Sequence, residues 1–400
     1  MSAQVMLPAS KSISNRMLLL RALCSKEFEI ENIAVCDDTN AVRAALAAHG
    51  GVINIGAAGT AMRFLTAYFA SRVGVDVVLD GSPRMRQRPM GILVDALRQL
   101  GASIDYCGEN GYPPLHIKGR ELHGGAISLP GNVSSQYITA LMLIAPVIGG
   151  MDIDLTGDVI SRPYIEMTMK LMREYGITAE MKGNHIEIEQ GEYFSHDYVV
   201  ESDWSAASYW YAIQSLLPQS QIVLEGLRSD SLQGDRRIAK IADEMGIKTN
   251  FTPQGVELCA GNWVGCACSS YFDMSDTPDI AQTLAVALCL LNRPFRLTGL
   301  RTLRIKETDR LEALRSQLLK LGYAVKVEGD DALSWHFERV ATESSPRIAT
   351  FNDHRMAMAF APAACRFPGL VIEDVNVVEK SYPEFWSHLE AAGFKIEEVK

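Results

Sequence analysis

VDALRQLGASIDY, residues 94–106, reads as an amphipathic helix that stops at Gly101 and runs straight into a strand. Glycine tolerates the left-handed backbone that closes a helix, so this segment carries its own terminator. The pattern recurs in VRAALAAHGGVINI (42–55), MKLMREYGITAEM (169–181), AKIADEMGIKTNF (239–251), RSQLLKLGYAVKV (315–327) and HLEAAGFKIEEV (388–399). The terminators Gly50, Gly101, Gly176, Gly246, Gly322 and Gly393 are spaced by 51, 75, 70, 76 and 71 residues, a period near 72 with one short first interval.

Ahead of each amphipathic helix stands a short strand pattern: FEIENI, VDVVLDG, MDIDLTG, IVLEGL, FRLTGL or LVIEDV. Ahead of that strand stands a far more apolar helix, expected at 12–24, 60–70, 135–147, 205–217, 280–291 and 354–365. A helix apolar most of the way round belongs inside, and an amphipathic one outside. Each unit therefore reads buried helix, strand, outer helix, glycine, strand. Pro89, Pro163 and Pro383 are expected at the first turn of three outer helices, where a missing N–H costs nothing. Six units divide into two α/β domains of three, 10–201 and 202–400, with residues 1–9 crossing over to complete the second. No low-complexity linker separates them, so two short connections that permit a hinge are expected.

Composition narrows the function. Of 400 residues 48% are hydrophobic and 22% charged, enough for a real core. The balance of 38 basic against 48 acidic side chains, −10 overall, argues against a nucleic-acid or anionic-membrane binder. No apolar run reaches the length of a spanning helix. The opening MSAQVMLPASKS lacks the parts of a signal peptide. Among eight cysteines only Cys266 and Cys268 stand close, and C-x-C is neither a redox motif nor a zinc site. The expectation is a cytoplasmic protein with reduced thiols.

Equivalent helix beginnings in a quasi-symmetric domain gather at one end, and their free N–H groups and positive dipole ends suit anions. Lys11-Ser12-Ile13-Ser14-Asn15-Arg16 opens the first buried helix, Gly56 to Arg63 the second, and Ser134-Ser135-Gln136 the third. Outer helices in the same half begin at Arg84-Met85-Arg86-Gln87-Arg88-Pro89 and Ser161-Arg162-Pro163-Tyr164. The second half places Asp279, Arg304-Ile305-Lys306-Glu307-Thr308-Asp309-Arg310, Asp353-His354-Arg355 and Lys380 at corresponding points. An acidic chain that concentrates cations at homologous corners is built for small polyanions, and Asp279 and Glu307 add groups able to move protons.

Each motif has a plainer reading by itself. Lys11–Arg16 and Ser134–Gln136 resemble ordinary caps, and Asp279 could do no more than cap its helix. Gly56 to Gly59 matches neither the dinucleotide fingerprint nor the Walker loop. Arg84 to Arg88 could be a solvated charge run, and Lys306 could pair with Asp309 on a helix surface. His354 has no second ligand at metal spacing. These readings would all have to hold together, at equivalent places in six repeats.

The stretches PASKSISNR, GAAGTAMR, PRMRQRPMGILVDALRQLGA, VSSQYITALM, SRPYIEMT, RIKETDR, NDHRMAM and EKSYPEF resemble the EPSP synthase (3-phosphoshikimate 1-carboxyvinyltransferase) family, in the family's order from Lys11 to Phe385. The resemblance implies two inside-out α/β domains, each of three βαβαββ-type units, with the active site in the interdomain cleft. It implies transfer of the enolpyruvyl group of phosphoenolpyruvate to the 5-hydroxyl of 3-phosphoshikimate, releasing phosphate, with no metal or organic cofactor. Carried over by motif, Lys11, Ser12, Arg16, Ser134, Ser135, Gln136, Ser161, Asp279 and Lys306 would touch 3-phosphoshikimate. Lys11, Gly59, Arg88, Gln136, Arg310, Arg355 and Lys380 would touch phosphoenolpyruvate. Asp279 matches the family's proton acceptor and Glu307 its proton donor, with Lys11 sharing the proton work. The resemblance also implies a monomer that acts on small molecules, without nucleic acid or membrane.

The sequence departs from the family at Ala57, where an Asn is usual, at Ala9-Ser10, and at Thr302, near which a ligand Asn is frequent. The related transferase that acts on UDP-N-acetylglucosamine carries a reactive Cys before its Arg-Pro, and Gly81 to Pro89 has none. A non-catalytic phosphometabolite binder on the same scaffold could dispense with Asp279 and Glu307. Gly59 leaves the phosphoenolpyruvate pocket uncrowded, so sensitivity to glyphosate is expected.

Overall fold

A computed structural model describes residues 1–48, 50–261 and 270–399; Cys266 and Cys268 lie outside the described residues. The chain opens with β1 (Ser2–Met6), α1 (Lys11–Leu23), β2 (Ile30–Glu31) and α2 (Asp37–Leu46). The next repeat is β3 (Gly51–Asn54), α3 (Gly59–Ala70), β4 (Asp76–Asp80), α4 (Gly91–Gln99), β5 (Ser103–Tyr106) and β6 (Leu115–Lys118). It is followed by β7 (Gly125–Pro130), α5 (Ser135–Ile144), β8 (Met151–Thr156), α6 (Arg162–Glu174), β9 (Ala179–Lys182) and β10 (His185–Ile188). After β11 (Tyr198–Val199) the fourth repeat runs α7 (Trp204–Leu216), β12 (Gln221–Glu225), α8 (Ile238–Glu244), β13 (Ile247–Thr252) and β14 (Gly255–Ala260). The fifth is β15 (Ser270–Asp273), α9 (Ala281–Leu290), β16 (Phe295–Thr298), α10 (Arg310–Lys320), β17 (Lys326–Glu328) and β18 (Ala332–Trp335). The last is β19 (Arg347–Ile348), α11 (His354–Phe360), β20 (Val371–Ile372) and α12 (Phe385–Ala391).

The chain divides into two units, Lys11–Val200 and Met1–Ser10 with Glu201–Lys400. In each, the apolar helices form the centre. α1, α3 and α5 pack on one another, and α9 packs on both α7 and α11. Every residue of α9 is buried, whereas α6 buries one face only. The strands alternate accordingly: Met151, Ile153 and Leu155 of β8 point inward while Asp152 and Asp154 point out.

Four complete repeats each form a sheet of the same plan, β3-β4-β6-β5, β7-β8-β10-β9, β1-β12-β14-β13 and β15-β16-β18-β17. The first two strands are parallel because a helix joins them, and a hairpin closes the sheet antiparallel. The fourth repeat takes its first strand from the chain start, with Ser2 opposite Gln221 and Met6 opposite Glu225. The first repeat takes its own from the far end of the same unit, with β11 alongside β2. Each unit thus completes a sheet with a strand remote in sequence, and the connections at 10–11 and 200–201 follow those two strands.

The first and last repeats hold only two-stranded sheets, β11-β2 and β19-β20, and lack the closing hairpin. The missing hairpin is why the first glycine interval is 51 residues. For the same reason residues 394–399 make no strand. FEIENI yields only two strand residues. The third and sixth buried helices stop early, at Ile144 and Phe360, because Pro146 and Pro362 turn the chain into 3-10 segments. Pro163 sits in the first turn of α6, but Pro89 and Pro383 stand two positions ahead of α4 and α12. Five of the glycine terminators are left-handed, with φ between +83° at Gly246 and +101° at Gly393, while Gly50 at +154° leaves that role to Gly51 at +79°. Among the described residues, no helix is long and apolar enough to cross a membrane.

Candidate active site

In the unit containing Glu201–Lys400, Asp279 lies in the turn Pro278–Ile280 that feeds α9, and its side chain caps no helix. Oδ1 receives Lys306 Nζ at 3.3 Å and Arg310 Nη1 at 3.2 Å, and Oδ2 receives Arg355 Nη2 at 3.2 Å. Arg310, the first residue of α10, is 1% exposed and spreads its fork over two further carboxylates. Its Nη2 reaches Glu307 Oε2 at 2.9 Å and its Nε reaches Asp353 Oδ2 at 2.6 Å. Lys380 Nζ lies 3.4 Å from the other Glu307 oxygen, Oε1. Asp353 also caps α11 by accepting from the Arg355 N–H at 2.9 Å, so the carboxylate that grips Arg310 sets the helix carrying Arg355.

Burial alone would push the Asp279 carboxyl up, but Lys306, Arg355 and Arg310 together outweigh it and hold it well below the usual carboxylate range. Burial likewise opposes charge on Arg310, and Asp353, Glu307 and Asp279 reverse the effect. Behind them Asp235, in the turn Gly234–Arg237 ahead of α8, accepts a short hydrogen bond from Ser205 Oγ. Burial first, then repulsion from Asp279, push the Asp235 carboxyl up to about 6.

In the unit Lys11–Val200, Lys11 opens α1 with its Nζ 2.9 Å from Asp38 Oδ2 at the start of α2. Arg16 is 3% exposed and gives Nε to Thr168 Oγ1 at 2.8 Å, Nη1 to the Ser12 carbonyl at 2.9 Å, and Nη2 to Thr139 Oγ1 and the Tyr164 carbonyl at 3.3 Å. Burial among these neutral acceptors lowers the guanidinium to about 10. Four of its five hydrogens are spent inside the protein, so Arg16 chiefly ties Ser12 to the start of α6. There Ser161 holds a left-handed backbone, φ +54°, and its hydroxyl caps nothing. A non-glycine residue held in that region marks a position over-determined by its surroundings.

Gly59 opens α3 beneath Arg88. A Cβ at Gly59 would stand 2.8 Å from Arg88 Cζ. Arg88 is 7% exposed, and among the described residues its Nε has no hydrogen-bond partner. Its loop neighbours are engaged elsewhere, Arg86 with Asp80 at 2.9 Å and Arg84 with Gln87 at 3.3 Å. The solvated-loop reading fits those two and fails for Arg88. Gln136 donates to Thr60 Oγ1 at 3.0 Å, which joins the beginnings of α5 and α3, and its buried Oε1 is without a partner among the described residues. Ser134 caps α5, and Ser135 beside it is buried.

Asp279, Lys306, Glu307, Arg310, Arg355 and Lys380 thus form one connected network. Gly59, Arg88, Ser134, Ser135 and Gln136 meet at the starts of α3 and α5, and Lys11, Ser12, Arg16 and Ser161 at those of α1 and α6. Lys306 pairs with Asp279, whereas Asp309 caps α10 and holds Arg304 at 2.8 Å. Asp38, Ser205 and Asp235 were not singled out from the sequence. Asp38 lies in the first turn of the first outer helix and Asp235 in the turn ahead of the fourth, so repeat equivalence points at both, but an acid at a helix start reads first as a partner of the dipole. Among the described residues, no cluster of His, Cys, Asp and Glu could hold a metal ion.

The family model for EPSP synthase (3-phosphoshikimate 1-carboxyvinyltransferase) matches residues 1–53 and 44–389. The chain belongs to the EPSP synthase family. A 3-phosphoshikimate 1-carboxyvinyltransferase of Bacteroides fragilis is 49% identical over 396 residues, spanning 98% of this chain and 96% of the relative. One from Idiomarina loihiensis is 36% identical over 422 residues, spanning 96% and 94%. A solved EPSP synthase from Acinetobacter baumannii superposes with a TM-score of 0.77 at 21% identity, covering 100% of this chain and 97% of that one. At that identity the likeness is one of fold, and the fold is that of the EPSP synthases: two α/β domains of repeated units.

Proposed function

We propose that the chain transfers the enolpyruvyl group of phosphoenolpyruvate to the 5-hydroxyl of 3-phosphoshikimate. The observation that carries this reading is the single guanidinium of Arg310 held by both Asp279 and Glu307. Two carboxylates sit within one cation network, where a passive anion binder would gain by omitting both.

The two substrates carry two phosphates and two carboxylates, and their mutual repulsion must be overcome locally, within about 8 Å at physiological salt. Lys306, Arg310, Arg355 and Lys380 supply that charge in one unit, Lys11 and Arg88 in the other. Asp279, held ionised by its cations, takes the 5-hydroxyl proton as the oxygen bonds to C2 of phosphoenolpyruvate. Glu307 gives a proton to C3, and a tetrahedral ketal results. A proton then leaves C3, the bond from C2 to the phosphate oxygen breaks, and inorganic phosphate departs with the vinyl ether formed. Substrate anions that engage Lys380 and Arg310 draw those cations from Glu307 and leave it free to carry the proton. Arg88 against Gly59 offers a fork for the carboxylate or phosphate of phosphoenolpyruvate. The enzyme works as a monomer on these small molecules.

The deciding assay is phosphate release on mixing the two substrates. Release should need both and should not occur when UDP-N-acetylglucosamine replaces 3-phosphoshikimate. No release from the matched pair would sink the reading.

A further inference from the structure

We infer that Asp235 is a positioning residue for the Arg355–Asp279 pair, acting through the hydroxyl of Ser205. The inference rests on the reading of Arg355 and Asp279 just given. Ser205 Oγ has one hydrogen and donates it to Asp235 Oδ2. Toward Arg355 Nη2, 3.4 Å away, it can therefore only accept. Arg355 Nη2 carries two hydrogens, one facing Ser205 and the other facing Asp279 Oδ2 at 3.2 Å. The direction of the Ser205 hydroxyl thus sets the plane of the guanidinium, and with it the edge left open to an anion.

The connection draws on every repeat of its unit. Ser205 and Asp235 belong to the fourth repeat, Asp279 to the fifth and Arg355 to the sixth. Ser205 is itself held, because its backbone N–H donates to Asp203 Oδ1 at 2.8 Å. With Asp235 gone, the hydroxyl hydrogen is free to turn toward Arg355, donor against donor, and the fork loses its support on one side. A carboxylate behind a hydroxyl also polarises it and makes its oxygen a better acceptor for the guanidinium.

Asp235 is 3% exposed and stands one serine behind the fork. The charged groups around it are Asp203 at the start of α7, Asp279 ahead of α9, Arg355 on α11, and Arg236 and Arg237 on its own turn. Burial and the neighbouring acids raise its carboxyl, Arg355 and Ser205 lower it, and the balance near 6 lets it change charge close to neutral pH. A protonated Asp235 is a weaker acceptor for Ser205, so the support for Arg355 weakens as the pH falls through that value.

The test is the kinetics of Asp235→Ala, Ser205→Ala, their double variant and Asp235→Asn, with phosphoenolpyruvate and 3-phosphoshikimate. Asp235→Ala and Ser205→Ala should each raise KM for phosphoenolpyruvate about tenfold, with kcat and the other KM within about threefold. The double variant should be no worse than either single one, as expected of residues in one chain of contacts. Asp235→Asn, whose neutral amide oxygen accepts from Ser205 as weakly as a protonated Asp235, should show at pH 7.5 the partly raised KM that the wild type reaches below pH 6, with no further rise there. Calorimetric titration with inorganic phosphate gives a readout independent of turnover, and Asp235→Ala should weaken that binding by a similar factor. Unchanged KM and phosphate affinity in Asp235→Ala, or an Asn variant as impaired as the Ala variant, overturns the inference with the wild type fully active. A wild type that releases no phosphate overturns the proposed function instead, and the phosphate titration still reads the role of Asp235.

Discussion

The guanidinium of Arg88 lies against the Cα of Gly59, so close that a methyl group on that carbon would overlap it. Arg88 approaches there because α3 begins with a residue that has no side chain, and its Nε is left without a hydrogen-bond partner among the described residues. A buried, incompletely satisfied fork is expensive in the free protein and is relieved by an anion.

Gly59→Ala should therefore displace Arg88 and raise KM for phosphoenolpyruvate at least about tenfold, the loss of one charge-assisted contact. Combined with Arg88→Ala it should add little. The melting temperature should not fall, since Ala is the better helix former. A normal KM in the Ala variant would remove Arg88 from the binding of phosphoenolpyruvate.

Asp353→Ala tests structure more than chemistry. The carboxylate is fully buried, grips Arg310 through Nε at 2.6 Å and Nη2 at 3.2 Å, and caps α11. Its removal leaves a buried cation without its bidentate partner and a helix without its cap. A loss of about 3 kcal/mol is expected, visible as a melting temperature lower by about 10 °C. Inorganic phosphate should recover part of that loss by occupying the cation network.

Asp235 should weaken the fold at neutral pH. Its folded value near 6 lies above the ordinary 3.8. Such a group contributes stability that is fully present below pH 3.8 and lost as the pH rises through 6. Asp235→Asn should thus be the more stable protein at pH 8, by at most about 3 kcal/mol, with the advantage gone near pH 4. Asp279, held low, has the opposite sign, and its contribution is lost on acidification. Urea denaturation at the two pH values checks both, and an advantage for the Asn variant that grew toward acid would contradict the assignment.

Much of this architecture was legible in the glycine period and the apolar helices, because both are local consequences of helix termination and burial. What the period could not disclose is partnership. The crossing of residues 1–9 was expected, but neither their pairing with β12 nor that of β11 with β2, each joining segments remote in sequence, has a mark in the residues themselves. The cations of the site were readable from position, yet Arg16 and Arg88 look alike in sequence. One is consumed by neutral acceptors at Thr139, Thr168, Ser12 and Tyr164, and the other keeps an open Nε. Only packing separates them. Asp38 and Asp235 escaped for a different reason, since an acid at a helix start has a ready explanation as a favourable dipole partner.

Glu307→Gln isolates the proton delivered to carbon. Gln keeps the oxygen that faces Arg310 and places an amide near Lys380, 3.4 Å from the native Oε1, so the shape of the network survives. It cannot release a proton to C3. Turnover should fall by about 100-fold or more while both KM values stay within about threefold, the pattern of a lost proton-transfer group. A second readout follows from the chemistry itself. If addition to C2 is reversible, incubation in D2O with both substrates washes deuterium into the methylene carbon of phosphoenolpyruvate in the wild type, and Glu307→Gln should suppress that exchange as strongly as turnover. Exchange that persists while turnover is lost would move Glu307 out of the proton-delivery step and leave that task to another acid, with Lys11 the next to be tested.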